Sequence, residues 1–479
     1  MNYKMILNIL GWVLKIEAAC MLLPLLCAVC YGETAEIYVF VLCALLCLLV
    51  GTGISLRRPK NKVMYAREGF VAVALSWVLL SIFGALPFVI SKNIPNFIDA
   101  FFETVSGFTT TGASILTDVE ALPKSLLMWR SFSHWLGGMG VLVFLMAILP
   151  LSGSGNVFLL KAESPGPAVS KLVPKVKSTA KLLYLIYIAF TVFQIVLMLL
   201  GGEDLFTSLT LTFGTAGTGG FGILNSGIAG YSRYTQYLIT VFMIAFGVDF
   251  SLYYMLFFRN PKSFFKSDEL KTYLLIIAAA IFLIFCNTRY LFDTTEETFR
   301  NVSFTVGSII TTTGYSTYDF NLWPQFSKTI LVLLMFIGAC AGSTGGGIKV
   351  SRIMILCKSI VKEIRLYAHP RTTLKLKMSG RTIEHETVRG VNVYMSAYVC
   401  FFVGALLIIS FDNFDFTTNF TAIAATMNNI GPGLNMVGPM GNFSAFSPLS
   451  KMVMSICMLV GRLEIFPMLM LFSPYTWKK

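Results

Sequence analysis

Charge is scarce in this chain: 13% of its 479 residues are Asp, Glu, Lys or Arg, against 56% that are hydrophobic. A soluble domain carries about a quarter charged residues, so a water-soluble enzyme or binding module is excluded and a lipid-embedded protein is indicated. Histidine is nearly missing. The three present, His134, His369 and His385, lie far apart without a ligand cluster, which leaves no zinc site to read. The ten cysteines follow no disulfide or zinc spacing and fall mostly inside apolar runs, where they serve as small packing residues. Paired carboxylates, a nucleophile elbow and a metal cluster are lacking too, so nothing marks an enzyme.

What the sequence has in abundance is runs of about 20 apolar residues, the length that crosses a hydrocarbon core of about 30 Å. Ten spans are expected, near residues 5–29, 36–56, 69–92, 127–150, 179–202, 234–258, 270–291, 327–349, 388–411 and 447–472. The fold class is therefore an all-α integral membrane protein. Lys15 and Glu17 interrupt the first run and a second follows at once, so it reads as a span and not as a cleaved signal peptide.

The net charge of +13 is placed, not spread. Of the 37 Lys and Arg, 24 sit in four loops, 57–67, 150–181, 259–271 and 349–389, while the intervening loops hold acids such as Glu33, Glu36, Glu203, Asp204, Asp293, Asp412 and Asp415. Basic loops stay in the cytoplasm, so these four are expected inside; an even span count puts both termini there as well. Nucleic-acid binding is not needed to explain the charge.

Four outer segments end alike. They read FFETVSGFTTTGAS from Phe101, FTSLTLTFGTAGTGGFGI from Phe206, FRNVSFTVGSIITTTGY from Phe299 and FTTNFTAIAATMNNIGPGL from Phe416. Each is a half-length helix closing on a glycine turn, and aligning the glycines puts Gly112, Gly220, Gly314 and Gly431 in register. Two residues earlier stand Thr110, Thr218, Thr312 and Asn429; one earlier, Thr111, Gly219, Thr313 and Ile430. Each following span carries a glycine, Gly138, Gly247, Gly338 or Gly461. Re-entrant backbone at membrane depth needs protein, water or ions as partners. Four such turns around one axis meet that need together, with helix carbonyl ends favouring a cation and carbonyl rings replacing its hydration shell.

On these residues the chain resembles the superfamily of K⁺ transporters, close to the bacterial Trk and Ktr potassium-uptake membrane subunits, TrkH and KtrB. The most specific pieces are TTTG at Thr109, TGGF at Thr218, TTTGY at Thr311, NIGPGL at Asn429, HWLGGMG at His134, AGSTGGGIK at Ala341 and GRLEIF at Gly461. Two extra N-terminal spans resemble the TrkH branch. The resemblance implies potassium as the transported ion, no organic cofactor in this chain, a homodimer in the bacterial inner membrane with one pore per subunit, and a cytosolic ring of TrkA-like subunits that bind a nucleotide. The turns depart from the uniform TVGYG of potassium channels, and the fourth has Asn429 and Ile430 in place of threonines; selectivity over sodium is expected to be looser.

The expected organisation is an N-terminal pair (1–60), four pore repeats (68–153, 179–260, 270–360 and 388–475) and a basic cytoplasmic segment (361–387) with a hairpin turning at Ser379–Gly380. That segment and the Glu163–Pro167 turn are each expected to serve as docking surfaces for the ring or as solvated basic loops near lipid. Below the turns, Arg462 has about ten residues, about 15 Å of helix, still to follow, too many for its side chain to snorkel out. It faces the permeation path, or it pairs with Glu464 or Asp249; Asp249 in turn pairs with it or draws cations into an inner vestibule. Gly342, Ser343, Thr344, Gly345, Gly346 and Gly347 should break the second helix of the third unit into two halves, since each glycine costs about 1 kcal/mol in a helix. Lys349 ends that loop, which together with Arg462 is expected to gate the pore. Two functions stand: a gated pore, or an ion-coupled secondary transporter with alternating access, whose repeats would run inverted in pairs.

Overall fold

The computed structural model describes residues 1–56, 65–138, 140, 176–259, 261–372 and 374–478. The loop at 57–64, most of the 150–181 loop with Glu163–Pro167 and Lys175, the end of the fourth expected span and Met139 lie outside the described residues.

The N-terminal pair comprises Tyr3–Cys20 continued by Leu22–Tyr31, and the returning helix Thr34–Ser55. They cross where two glycines meet. A Cβ on Gly11 would stand 2.6 Å from the Gly51 carbonyl oxygen, and one on Gly51 2.8 Å from that of Gly11, so only small residues permit this approach.

Four units follow, each a long helix, a short re-entrant helix, a turn and a second helix. The long helices are Ala66–Ile90, Val176–Leu200, Asp268–Thr288 and His385–Ile409. The re-entrant pore helices are Phe97–Phe108, Leu205–Gly217, Thr295–Ile310 and Phe416–Met427, of 12, 13, 16 and 12 residues. All four start on a side-chain cap at their outer end: Asn96, Asp204, Thr294 and Asp415 each accept a hydrogen bond from a first-turn N–H. At Asp415 the Thr418 hydroxyl also donates, which holds that carboxyl below the usual carboxylate range.

In the second and fourth units the second helices differ from the expectation of continuous spans with one break in the third unit. Arg233–Phe246, Gln325–Ile337 and Pro448–Arg462 have 14, 13 and 15 residues, about 20 Å each and too short to cross, while Lys124–Gly138 runs to the edge of the described residues. In the second unit the chain bends by 92° between Arg233–Phe246 and Phe250–Phe258. In the third it runs as an intramembrane loop from Gly338 to Lys349 before Val350–Ala368, as the glycine cluster predicts. In the fourth, Glu464 and Ile465 both take positive φ, 56° and 68°, and the Phe466 N–H bonds back to the Glu464 carbonyl at 2.8 Å. A β-branched residue in that γ-turn is strained, and no glycine in the sequence announces it. Among the described residues six helices are long and apolar enough to span, or seven counting the bent pair; of the ten expected spans, the fourth continues outside the described residues and the second spans of the second, third and fourth units are interrupted by these breaks.

Beyond Ala368 the segment forms the hairpin, with Lys377–Met378 pairing antiparallel to Arg381–Thr382 around Ser379–Gly380.

Candidate functional site

Each pore helix ends in the same hydrogen-bonded cap. The N–H groups of Thr110, Thr218, Thr312 and Asn429 bond to carbonyls three residues back, and those of Thr111, Gly219, Thr313 and Ile430 to carbonyls five back, at 2.8–2.9 Å. This is the Schellman pattern, whose penultimate residue must be left-handed. Thr110, Thr218, Thr312 and Asn429 have φ of 55°, 54°, 59° and 56°; two residues on, Gly112, Gly220, Gly314 and Gly431 have 78°, 78°, 85° and 98°. Threonine in that region costs about 1–2 kcal/mol, and the same cost recurs in three turns. The fourth turn keeps the backbone of the others although Asn429 and Ile430 replace threonines.

The turns meet. A Cβ on Gly112 would collide with the Gly219 carbonyl oxygen, on Gly220 with that of Thr313, and on Gly314 with that of Ile430, while on Gly431 it would stand 2.8 Å from that of Thr111. The order 1, 2, 3, 4, 1 closes a ring in which every glycine faces the carbonyl preceding the next glycine. All four glycines border one cavity of about 220 Å³ on the side away from the pore helices, shared with Phe221 and Tyr315. On the inner side the Thr110 hydroxyl is buried with no hydrogen-bond partner among the described residues.

Two charged groups that sequence reading did not single out, Glu103 and Arg130, brace this ring together with His134, Phe221 and Tyr315 of the motifs quoted above. Glu103 and Arg130 form a buried ion pair at 2.7 Å. Glu103 also accepts from the Ile115 N–H at 3.0 Å, and Arg130 lies over the Phe221 ring and donates to the Gly222 carbonyl at 3.3 Å. The pair thus ties the first turn to the second. His134 does the same from the other side: its Nδ1–H donates to the Gly107 carbonyl at 2.8 Å while Nε2 accepts from the Phe221 N–H at 3.2 Å, a pattern only the neutral ring can make. The Tyr315 hydroxyl reaches the Leu211 carbonyl at 3.1 Å and so fixes the third turn to the second pore helix. Ionisable residues inside spans are functional candidates by rule, and applying it to Glu103 and Arg130 would have found them. Arg130→Ala leaves Glu103 buried and unpaired, so a loss of about 3–5 kcal/mol is expected, read as a fall in thermal stability in detergent, with Glu103→Gln/Arg130→Gln recovering part of it.

Beneath the ring the expected barrier residues come together. Arg462 donates from Nη1 to the Thr344 carbonyl at 2.8 Å and from Nη2 to the Gly137 and Gly138 carbonyls at 2.5 and 2.6 Å. One guanidinium therefore joins the fourth unit to the first and to the intramembrane loop. Of the carboxylates weighed as its partners, Glu464 takes Arg352 at 2.5 Å, and Asp249 accepts from the Ser251 N–H at 2.8 Å and lies against Gly342. In the first unit Gly137 plays the part of Gly461: each presses on the last carbonyl of its pore helix, Phe108 and Met427. Gly138, the glycine aligned from sequence, packs against Gly217 instead.

The loop touches the turns directly. The Gly346 N–H donates to the Thr312 hydroxyl at 2.6 Å, and Gly345 lies under the Thr311 carbonyl. Lys349, buried and at φ 80°, donates back to the Gly345 carbonyl. Ser343 hydrogen-bonds within the loop to Cys340, and Gly347 packs on Gly338. A further residue, missed from the sequence, holds both ends. Glu269 accepts from the Ala341 N–H at 2.8 Å and from the Ser351 N–H at 3.2 Å. Its neighbour Asp268 accepts from the Ser379 N–H at 2.7 Å, so adjacent residues of one helix touch the loop and the hairpin. Removing Glu269 strands two N–H groups at about 1–3 kcal/mol each. Glu269→Ala is expected to raise basal rubidium leak roughly fivefold or more, and an unchanged leak in folded protein would show that the latch is elsewhere.

A family model described as "Cation transport protein", TrkH, matches residues 37–479. The chain is 35% identical to "Trk system potassium uptake protein TrkH" of Vibrio parahaemolyticus and 34% identical to the protein of that name in Escherichia coli K12, over the full length of both chains in each case. The solved structure titled "Crystal Structure of the Potassium Transporter TrkH from Vibrio parahaemolyticus" superposes with a TM-score of 0.90 at 32% identity, again over all of both chains. With its ring of four turns and its full-length match, the chain belongs to the TrkH family of cation transport proteins.

Proposed function

We propose that this multi-pass membrane protein takes up potassium through a gated pore along the axis of the four turns. The observation that carries the reading is the closed ring itself: four left-handed residues and four positive-φ glycines in register, each glycine against the next unit's carbonyl. Such backbone supplies oxygens at fixed spacing to a dehydrated cation. Thr110 to Gly112, Thr218 to Gly220, Thr312 to Gly314 and Asn429 to Gly431 are the ion-binding residues. Four pore helices end at the ring and direct the negative ends of their dipoles at it. The unpartnered Thr110 hydroxyl suits the same role, as a ligand at the inner mouth.

The barrier on this reading is Arg462 with Gly342 to Gly347, held by Lys349 and Glu269. All four units run in one sense with their turns on one side, which favours a pore over alternating access between inverted repeats. The basic loops face the cytoplasm of a bacterium and the turns open outward; the protein works as a homodimer in the inner membrane, and a cytosolic TrkA-like nucleotide-binding ring docks on its basic face. Rubidium uptake into liposomes carrying the isolated protein tests transport. Orientation is tested by an impermeant thiol reagent, which from outside should label cysteines placed at Glu203 and Asp293. Labelling at Lys375 from outside would refute it.

A further inference from the structure

Glu17 is one of two charges that interrupt the first apolar run, and neither the ring nor the barrier uses it. Lys15, the other, turns away: its ammonium donates to the Ser55 hydroxyl at 2.7 Å and lies over the Trp12 ring. Glu17 has no such outlet. It stands midway along the span Tyr3–Tyr31, with about 20 Å of helix on either side, and is 1% exposed. Both of its carboxyl oxygens are buried without a hydrogen-bond partner among the described residues.

The carboxyl is pressed on the back of the first pore repeat. A Cβ on Gly84 of helix Ala66–Ile90 would meet three groups at once: Glu17 Oε1 at 3.2 Å, the Thr104 methyl at 2.9 Å and the edge of the Phe108 ring at 2.7 Å. Thr104 and Phe108 belong to the first pore helix, and Phe108 ends it just before the turn that holds the left-handed Thr110. The polar atoms at hand are already engaged. The Thr104 hydroxyl donates to the Ala100 carbonyl at 2.7 Å, and the Gly84 carbonyl accepts from the Trp129 indole at 3.0 Å. The titratable groups that face Glu17 are thiols, Cys20 on its own helix and Cys43 and Cys47 on Thr34–Ser55. Carboxylates on the other two helices point elsewhere: Glu68 of Ala66–Ile90 lies beside the amino terminus, and Glu103 of the pore helix is paired with Arg130.

An ionised carboxylate taken from water without a partner is among the costliest burials open to a side chain. A metal or alkali ion in its place would need several further oxygens, and among the described residues no three His, Cys, Asp or Glu side chains gather to hold one. A proton needs none. We propose that Glu17 is a proton-binding site, which keeps the undissociated acid between the N-terminal pair and the first pore repeat, where a change at the carboxyl is passed through Phe108 to the first turn. Both parts stand whether or not the turns conduct potassium. The reagent class that such a site takes is a lipophilic carbodiimide, entering past the half-exposed Cys20 one helical turn along. The acid's O–H adds across one C=N bond, its oxygen going to the central carbon and its proton to one nitrogen. The acyl group then moves from that oxygen to the other nitrogen, and the product is an N-acylurea with nothing lost. A carboxylate has no proton to give, and the water that would cleave the first adduct is kept out by the packing.

The test uses the full-length protein in phosphatidylcholine nanodiscs. Infrared spectra of the parent and of Glu17→Gln at neutral pH should differ by the carbonyl stretch of one undissociated acid, which shifts in heavy water. Dicyclohexylcarbodiimide should add to the parent at Glu17, as placed by peptide mapping, a readout that needs no variant. A water-soluble, charged carbodiimide should label that position roughly tenfold less or worse, since its charge would have to enter the same partnerless site. In the labelled protein, amide hydrogen exchange at Thr109 to Gly112 should quicken roughly tenfold, because an overfilled site is relieved by loosening what surrounds it. A difference spectrum with carboxylate bands in place of the acid overturns the proposal, as does a Glu17 that stays unlabelled while other carboxyls react. Unchanged exchange at the first turn of the labelled protein overturns the link through Phe108.

Discussion

Arg462→Ala is expected to raise rubidium flux through the isolated protein by roughly a hundredfold. A fixed positive charge about 6 Å from a passing cation costs about 3 kcal/mol at an effective dielectric of about 20, and in a rate that is the stated factor. The guanidinium is also a strut: its three hydrogen bonds span from the fourth unit to Gly137, Gly138 and Thr344. Alanine removes the charge and unfastens the loop at Thr344. Deleting within Ser343–Gly347 attacks the same barrier from the steric side, so the double change should give less than the sum of the two effects. The uptake assay in liposomes without regulatory partner or nucleotide reads all three proteins. If both single variants pass rubidium no faster than the parent while staying folded and dimeric, Arg462 is a structural strut and the gate lies elsewhere.

Alanine at Gly112, Gly220 or Gly314 should abolish potassium uptake, and at Gly431 should only reduce it. The new Cβ would strike a neighbouring carbonyl oxygen outright in the first three cases, whereas in the fourth it stands 2.8 Å from backbone oxygen, a contact that still forces a shift of the turn but a smaller one. All four also pay about 1–2 kcal/mol for positive φ. Since these carbonyls belong to the next unit's turn, each substitution disturbs two turns at once. Potassium-limited growth and rubidium uptake should therefore rank the variants with Gly431→Ala mildest. Four equal phenotypes, or none, would mean that the glycines merely turn loops.

The ring was legible because positive φ leaves a mark in sequence. Glycine recurs at four register positions, and Thr or Asn precedes it by two at the left-handed cap, so the repeat could be aligned from letters alone. The third-unit break was legible for the same reason, being written in glycines. The other breaks were not. At Val248 the helix turns on a lone Gly247 and an Asp249 cap, and at Glu464–Ile465 the strained backbone is carried by residues that prefer helix or strand. Tertiary contacts overrule local preference there: Glu464 is drawn to Arg352, and Asp249 is pressed on Gly342. Pairings across units were hidden too. Glu103, Arg130 and Glu269 stand out as charges in apolar surroundings, but which backbone N–H or guanidinium each meets depends on how the units pack. Gly137 and Gly138 differ by one position, and only the contact with Phe108 tells which one matches Gly461.

The central claim is that this one chain forms a potassium-preferring pore through its four turns. The most direct measurement is electrical recording from the purified protein in a planar bilayer with potassium on one side and sodium on the other. With the barrier opened by Arg462→Ala, a reversal potential displaced toward the potassium equilibrium value, and returned toward zero when Gly431→Ala is added, is the predicted result; an Arg462→Ala protein that carries no current, or one that reverses at zero, would contradict it.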